Sequence, residues 1–251
     1  MTRTNRTILE PRPCTVEINV SKYAEGSCLI STGDTKVFCT ASIDENTPSW
    51  MKEKNRTAEK NGEPKTGWIT AEYSMLPRAT HTRSKRDREK VSGRTQEIQR
   101  LIGRALRAMI DLEKLGERQI LVDCDVIQAD GGTRTASITG ACIAVGLALS
   151  KLIKENKVPP TVFIDTVQAI SVGLKSNEIL VDLDYDEDSA CDVDMNFVRT
   201  GKGMFVEIQG TAEKRTFSED DLKKMMDGAL GGLNKLRDKQ AEVLRSHLPL
   251  G

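Results

Sequence analysis

The stretch from Gln119 to Lys151 constrains the fold more than any other part of the chain. Ile120, Val122, Cys124 and Val126 alternate with a second set that includes Asp123 and Asp125, a period of two that predicts a β-strand with one apolar and one polar face over 119–128. A glycine-rich turn follows, Ala129-Asp130-Gly131-Gly132-Thr133-Arg134. Thr135 to Lys151 then carries the small residues Ala136, Gly140, Ala141, Ala144, Gly146 and Ala148 among Ile138, Ile143, Val145 and Leu147, the pattern of a helix packed close against its neighbours.

That turn is also the strongest chemical signal. Glycines let the backbone approach a ligand, the free N–H groups of a helix start point at it, and Thr133 and Arg134 add a hydroxyl and a guanidinium. A phosphate or carboxylate suits such a site. The plain alternative, a strand-to-helix connection with a solvated arginine, fits the spacing equally well. The turn is not a Walker A loop, because the Gly-Lys-Ser/Thr ending is missing, and the dinucleotide fingerprint is absent.

On either side of this unit the chain alternates strands and helices. Ser27–Ser31 and Lys36–Ala41 flank Thr32-Gly33-Asp34-Thr35 and predict a hairpin, and Trp68–Tyr73 predicts a further strand. Residues 51–66 lose hydrophobic periodicity and fill with lysine, glutamate and asparagine, the composition of a mobile surface loop. From Arg94 to Leu115, Ile98, Leu101, Ile102, Leu106, Met109 and Ile110 recur at helical spacing, with Gly116 as C-terminal cap. After Pro159-Pro160, strands are expected over 161–174, 179–185, 192–198 and 204–209, then a helix from Glu219 to Ser246 with Ser218 as its N-cap. This order predicts an α+β fold, an α/β-type mixed sheet with packed helices. At 251 residues one large domain over 1–251 is expected.

Composition narrows the partners. Lysine plus arginine equals aspartate plus glutamate at 37 each, so any attraction for a polyanion must come from local asymmetry. The six cysteines form no CxxC pair, which argues against zinc and a disulfide framework. With no apolar run of membrane-spanning length read from the sequence and a polar N-terminus, a soluble cytoplasmic protein is expected.

Charge is locally segregated. Between Arg78 and Arg107 ten basic residues stand against three acidic ones, a strip suited to a phosphate backbone; Arg100, Arg104 and Arg107 share a helix face and suit an interface or a solvated flank better. Asp182, Asp184, Asp186, Glu187, Asp188, Asp192 and Asp194 form an acidic stretch without lysine or arginine. Such carboxylates repel one another unless a cation offsets them, and hard oxygen donors suit Mg²⁺ or Mn²⁺; a solvated acidic loop is the alternative. An EF-hand fails, since Glu187 and Val193 stand where its glycine and final glutamate belong. His81 and His247 complete no catalytic triad, and His81 sits in a polar, basic loop where an RNA contact or no specific role suits it better than general-base work.

Several motifs together resemble the bacterial-type ribonuclease PH family. They are Gly67-Trp68-Ile69-Thr70-Ala71-Glu72-Tyr73, Met75-Leu76-Pro77-Arg78-Ala79-Thr80-His81-Thr82-Arg83, Gly93-Arg94-Thr95-Gln96-Glu97-Ile98-Gln99-Arg100, Asp123 through Ala141, Glu187-Asp188-Ser189-Ala190 with Asp194-Met195-Asn196, and Gln209-Gly210-Thr211-Ala212-Glu213. The resemblance runs from about Pro13 to the final helix. It implies a phosphorolytic 3′-to-5′ exoribonuclease acting on tRNA precursors, with phosphate as co-substrate, Mg²⁺ as cofactor and a homohexameric ring. It further implies phosphate binding by Arg94, Gly132, Thr133 and Arg134, catalytic or metal-associated roles for Asp188 and Asp194, and tRNA contacts by Arg78, Arg83 and Arg86. A catalytically silent subunit of an exosome-like ring and a metal-dependent hydrolytic nuclease are the rival readings. Two segments depart from the family pattern: the N-terminal Met-Thr-Arg-Thr-Asn-Arg, and the polar stretch before Gly67.

Overall fold

The computed structural model describes residues 3, 6–86 and 91–248. Nine strands, β1 (Cys14–Ile18), β2 (Gly26–Thr32), β3 (Thr35–Asp44), β4 (Trp68–Met75), β5 (Gln119–Gln128), β6 (Val167–Lys175), β7 (Glu178–Val181), β8 (Val193–Thr200) and β9 (Phe205–Ala212), form two sheets among the described residues. The first sheet has the order β1-β2-β3-β5-β4, antiparallel except for the parallel β4–β5 pair; the second is antiparallel in the order β7-β6-β8-β9.

Helix α4 (Thr133–Lys154) packs on β2 and β3 of the first sheet and on β6 of the second. Its small residues permit this: Gly140 lies so close to Ile30 and Cys39 that a Cβ there would stand 2.7 Å from Ile30 Cγ2. The helix is long and apolar enough to cross a membrane by composition alone, which the sequence reading overlooked, yet 89% of that window is buried inside the protein. It is the core helix. Helix α6 (Glu219–Leu244) covers the other face of the second sheet, so β6 is buried along nearly its whole length. Ser218 caps α6 in a capping box with Asp221.

The structure differs from the sequence reading in several elements: β1 is absent from that reading, and the strand expected over 161–174 begins only at Val167, after the 3-10 turn Pro160–Val162. Residues 49–60 form helix α1 (Ser49–Lys60) in place of a mobile loop. Only Met51 and Asn55 face inward, too few to leave a periodic signal, and the Asn55 amide brackets Thr66 by donating to its carbonyl at 2.9 Å and accepting from its N–H at 3.1 Å. The predicted helix over 94–115 stops early, as α2 (Gly93–Arg107), followed by the single turn α3 (Leu112–Leu115). Between them the backbone turns to strand-like pairing, with Asp111 N–H bonded to Val162 O at 2.8 Å and Ile164 N–H to Met109 O at 2.9 Å. The expected strand over 179–185 ends at Val181, because Asp182 adopts φ +58° and Asp184 caps a short helix, α5 (Tyr185–Ala190).

Candidate active site

Parallel pairing places the C-terminal ends of β4 and β5 side by side, and the glycine-rich turn leaves from there into α4. Gly131 and Gly132 both take positive φ, +69° and +62°. Without a Cβ, Gly131 presses against the turn before α5, where an added Cβ would stand 2.3 Å from Leu183 O. The phosphate-type turn and the acidic segment are thereby joined backbone to backbone.

A cleft of about 1140 Å³ opens between the two sheets at this junction. Arg94, Gly132, Thr133, Arg134, Asp188 and Asp194 all line it. The sequence-predicted phosphate and acidic groups, more than 90 residues apart at the extremes, thus share one wall of space. Thr133 Oγ1 and the Tyr73 hydroxyl lie 2.9 Å apart, and burial raises the Tyr73 pKa, against the pull of that bond and of Arg94 and Arg134. Arg134 donates to Gln209 Oε1 at 3.3 Å and stands 3.5 Å from Glu97. Gln209 in turn donates to Glu97 and Glu207, each at 3.0 Å, while Arg104 holds Glu207 through two bonds of 2.6 and 2.8 Å.

Burial also raises the pKa of Asp188, opposed by Arg94 and Arg134 and assisted by Glu213. Asp188 keeps an open surface on the cleft, where solvent screens part of that effect. Asp194 is raised by burial first and then by repulsion from Asp188 and Glu213. Glu213, at the end of the quoted Gln209–Glu213 motif, received no role from the sequence, and neither did Tyr73, Glu97, Gln209 or Tyr185. Period-two alternation through β9 and the bounding motif were the available signals.

The other acidic residues disperse. Asp182 is buried against Arg12, Asp184 and Glu187 form the capping box of α5, and Asp192 pairs with Arg215 at 3.6 Å. The seven-residue run is therefore no single cation cage. Among the described residues, no group of three or more His, Cys, Asp or Glu side chains has metal-holding geometry. The Asp188 and Asp194 pair supplies hard oxygen donors whose mutual repulsion a cation would relieve, which fits an ion that keeps most of its water, as Mg²⁺ does.

The basic loop between β4 and α2 forms the rim. His81 lines the cleft, its ring 5.3 Å from that of Tyr185. Arg78 donates one guanidinium N–H to the His81 carbonyl. Arg83 and Arg86 are exposed, whereas Arg104 and Arg107 are engaged inside the chain, Arg107 lying 4.7 Å over the Trp68 ring. Arg88 and Lys90 of the basic strip lie outside the described residues.

Comparison with known proteins agrees with this arrangement. Residues 10–150 match the 3′ exoribonuclease family, domain 1, and residues 165–232 match its domain 2. The chain is 53% identical over 243 residues to ribonuclease PH of Bacillus subtilis, covering 96% of this chain and 95% of that protein. To ribonuclease PH of Bdellovibrio bacteriovorus it is 55% identical over 226 residues, covering 90% and 89%. In fold it is similar to rice Rrp46 (TM-score 0.75, 17% identity, 96% of this chain and 98% of that one). It is also similar to a chain of the Archaeoglobus fulgidus exosome with RNA bound to the active site (TM-score 0.75, 23% identity, 95% and 92%). With both family domains matched around one cleft and identity above half over nearly the full length, the chain belongs to the ribonuclease PH branch of the 3′ exoribonuclease family.

Proposed function

We propose that this protein is a phosphate-dependent 3′-to-5′ exoribonuclease that trims tRNA precursors and releases nucleoside diphosphates. The observation that carries the reading is the meeting of an anion-binding turn (Gly132, Thr133, Arg134), a second arginine (Arg94) and two carboxylates (Asp188, Asp194) in one cleft. An inorganic phosphate held by the turn's amides, Thr133 and the two arginines is placed for in-line attack on the last phosphodiester, which lowers the entropic part of the barrier. The new P–O bond forms as the bond to the 3′ oxygen breaks, and the shortened RNA leaves with a free 3′ hydroxyl.

Asp188 and Asp194 are the residues that would hold Mg²⁺ or Mn²⁺, which when bound supplies positive charge beside the scissile phosphate. In the alternative, one of the two, in its protonated form and not as a cation ligand, gives its proton to the departing 3′ oxygen. The exposed arginines Arg83 and Arg86, with Arg78 shaping their loop, suit the tRNA backbone beyond the cleft. The faces of His81 and Tyr185 at the rim suit an unpaired base.

A homohexamer is the proposed assembly, supported by the edge strand β9, which leaves Phe205 and Ile208 exposed next to Met204. A cytoplasmic location suits six free thiols. A catalytically silent ring subunit is the weaker reading, because both the phosphate residues and the carboxylates are in place together. Product identity is the test. Phosphate-dependent release of nucleoside diphosphates from a 3′-extended tRNA supports phosphorolysis, and monophosphates formed without phosphate would replace it with hydrolysis.

A further inference from the structure

Residues 11–13, just before β1, lie against the glycine-rich turn that opens α4. Arg12 is buried there, at 8% exposure, and its guanidinium is shared between two structures. On one side Asp182 accepts from Arg12 Nε at 3.0 Å, from Nη2 at 2.7 Å and from the Arg12 N–H at 2.7 Å. On the other, Arg12 Nη1 donates to the Asp130 carbonyl and Nη2 to the Gly131 carbonyl at 3.5 Å. Thr35 completes the set, its hydroxyl donating to Gly131 O at 2.6 Å and accepting from Asp130 N–H at 2.9 Å.

These bonds fix more than position. In a trans peptide the C=O and the following N–H point in opposite directions, and no cis peptide occurs among the described residues. Holding the carbonyls of Asp130 and Gly131 toward Arg12 and Thr35 therefore turns the N–H groups of Gly131 and Gly132 the other way. Two consecutive glycines in the left-handed region lack the side-chain sterics that would otherwise select one peptide orientation. An external latch is what the local sequence cannot supply.

We propose that Arg12, anchored on Asp182 and assisted by Thr35, is a positioning residue that keeps the peptide planes of the phosphate turn in their anion-binding orientation. The inference rests on the phosphorolytic reading above and deepens it. Asp182 belongs to the turn that leads into α5 and Asp188, so the same latch registers the phosphate turn on the acidic helix. Arg3 and Arg6 strengthen that connection from closer to the N-terminus, Arg3 Nη2 donating to Glu187 Oε2 at 2.8 Å and Arg6 Nη2 to the Asp182 carbonyl at 2.8 Å. Only a planar fork of five donors reaches a carboxylate and two carbonyls at once, which a lysine ammonium cannot imitate.

The test compares Arg12→Lys, Thr35→Val and the paired replacement Arg12→Met/Asp182→Leu, which leaves no unpaired buried charge. Steady-state release of nucleoside diphosphate gives KM for phosphate and kcat; calorimetry with inorganic phosphate on unreacted enzyme, tRNA Kd without phosphate, and Tm accompany it. The latch predicts a phosphate KM raised about tenfold in Arg12→Lys and in the paired variant, the size of one charge-assisted bond, with tRNA Kd within about twofold. Tm of the paired variant should fall, because leucine takes the φ +58° of Asp182 and the Arg12 N–H loses its acceptor. Thr35→Val should move phosphate affinity in the same direction by less. Wild-type phosphate affinity in a folded paired variant would overturn the proposal, as would losses in Arg12→Lys that follow Tm alone. If wild-type enzyme released no nucleoside diphosphate, the phosphorolytic reading would fall by itself, while calorimetric phosphate binding would still report on the latch.

Discussion

Arg134 donates to the side-chain oxygen of Gln209 at 3.3 Å, and the amide nitrogen of the same Gln209 holds Glu97 at 3.0 Å. One amide thus steadies Arg134, the arginine proposed to bind phosphate, and restrains the carboxylate that competes for it. Removing the side chain in Gln209→Ala should let Glu97 close on Arg134 from its present 3.5 Å. KM for phosphate should rise about fivefold to tenfold, as expected for a hydrogen bond to a charged group. Glu97→Gln in the same background should recover most of the loss, and a double variant no better than Gln209→Ala would refute the competition.

Arg94→Ala should abolish phosphate-dependent trimming while tRNA binding without phosphate changes little, because this guanidinium faces the cleft wall shared with Asp188 and Thr133. Steady-state rates across a phosphate titration, alongside filter binding of tRNA, provide the check. Normal activity at limiting phosphate would remove Arg94 from the site.

Asp188 and Asp194 carry a stability signature with a definite sign. Burial raises both pKa values, so each carboxyl binds its proton more tightly folded than unfolded. That contribution is present below the unfolded value of about 4 and is lost as pH rises through the folded one. Asp194→Asn should therefore match or exceed the wild-type Tm at neutral pH without added cation, an advantage that disappears toward pH about 4, while turnover falls steeply. A Tm deficit at neutral pH would contradict the repulsion between the two groups.

Arg83 and Arg86 are exposed on the rim loop, and replacing both by alanine should weaken tRNA binding chiefly at low salt. The slope of log affinity against log salt should become shallower by roughly 0.7 to 0.9 for each RNA phosphate no longer neutralised. A short oligonucleotide confined to the cleft should be trimmed almost as before, and equal losses on both substrates would move these arginines into the active site.

Helix α1 enters β4 at its Trp68 end, a full strand away from the phosphate turn beyond Gln128. Asn55→Ala leaves the Thr66 backbone without two buried partners and should cost about 1–3 kcal/mol of stability. Phosphate KM should not change. Chemical denaturation with a parallel kinetic assay measures both.

Local patterning sufficed wherever one periodicity matched one environment. The alternation of β5, the small-residue helix α4, the hairpin of β2 and β3 and the Ser218 cap were legible because each depends on neighbours a few residues away. The candidate site residues Arg94, Gly132, Thr133, Arg134, Asp188 and Asp194 were legible as residue types with a chemistry. Their shared cleft was not, since it depends on the parallel β4–β5 pair and on α4 packing between two sheets.

Tertiary structure decided the rest. The run from Asp182 to Asp194 reads as one acidic cluster along the chain, yet Arg12, roughly 170 residues away in sequence, neutralises Asp182 and leaves Asp188 and Asp194 to the cleft. Helix α1 buries too little to be periodic, and α2 ends where residues 109–111 find backbone partners near Val162. Periodicity reports how much of a segment is buried, but which distant group offsets a buried charge or claims an open backbone bond is settled only when the chain has closed upon itself.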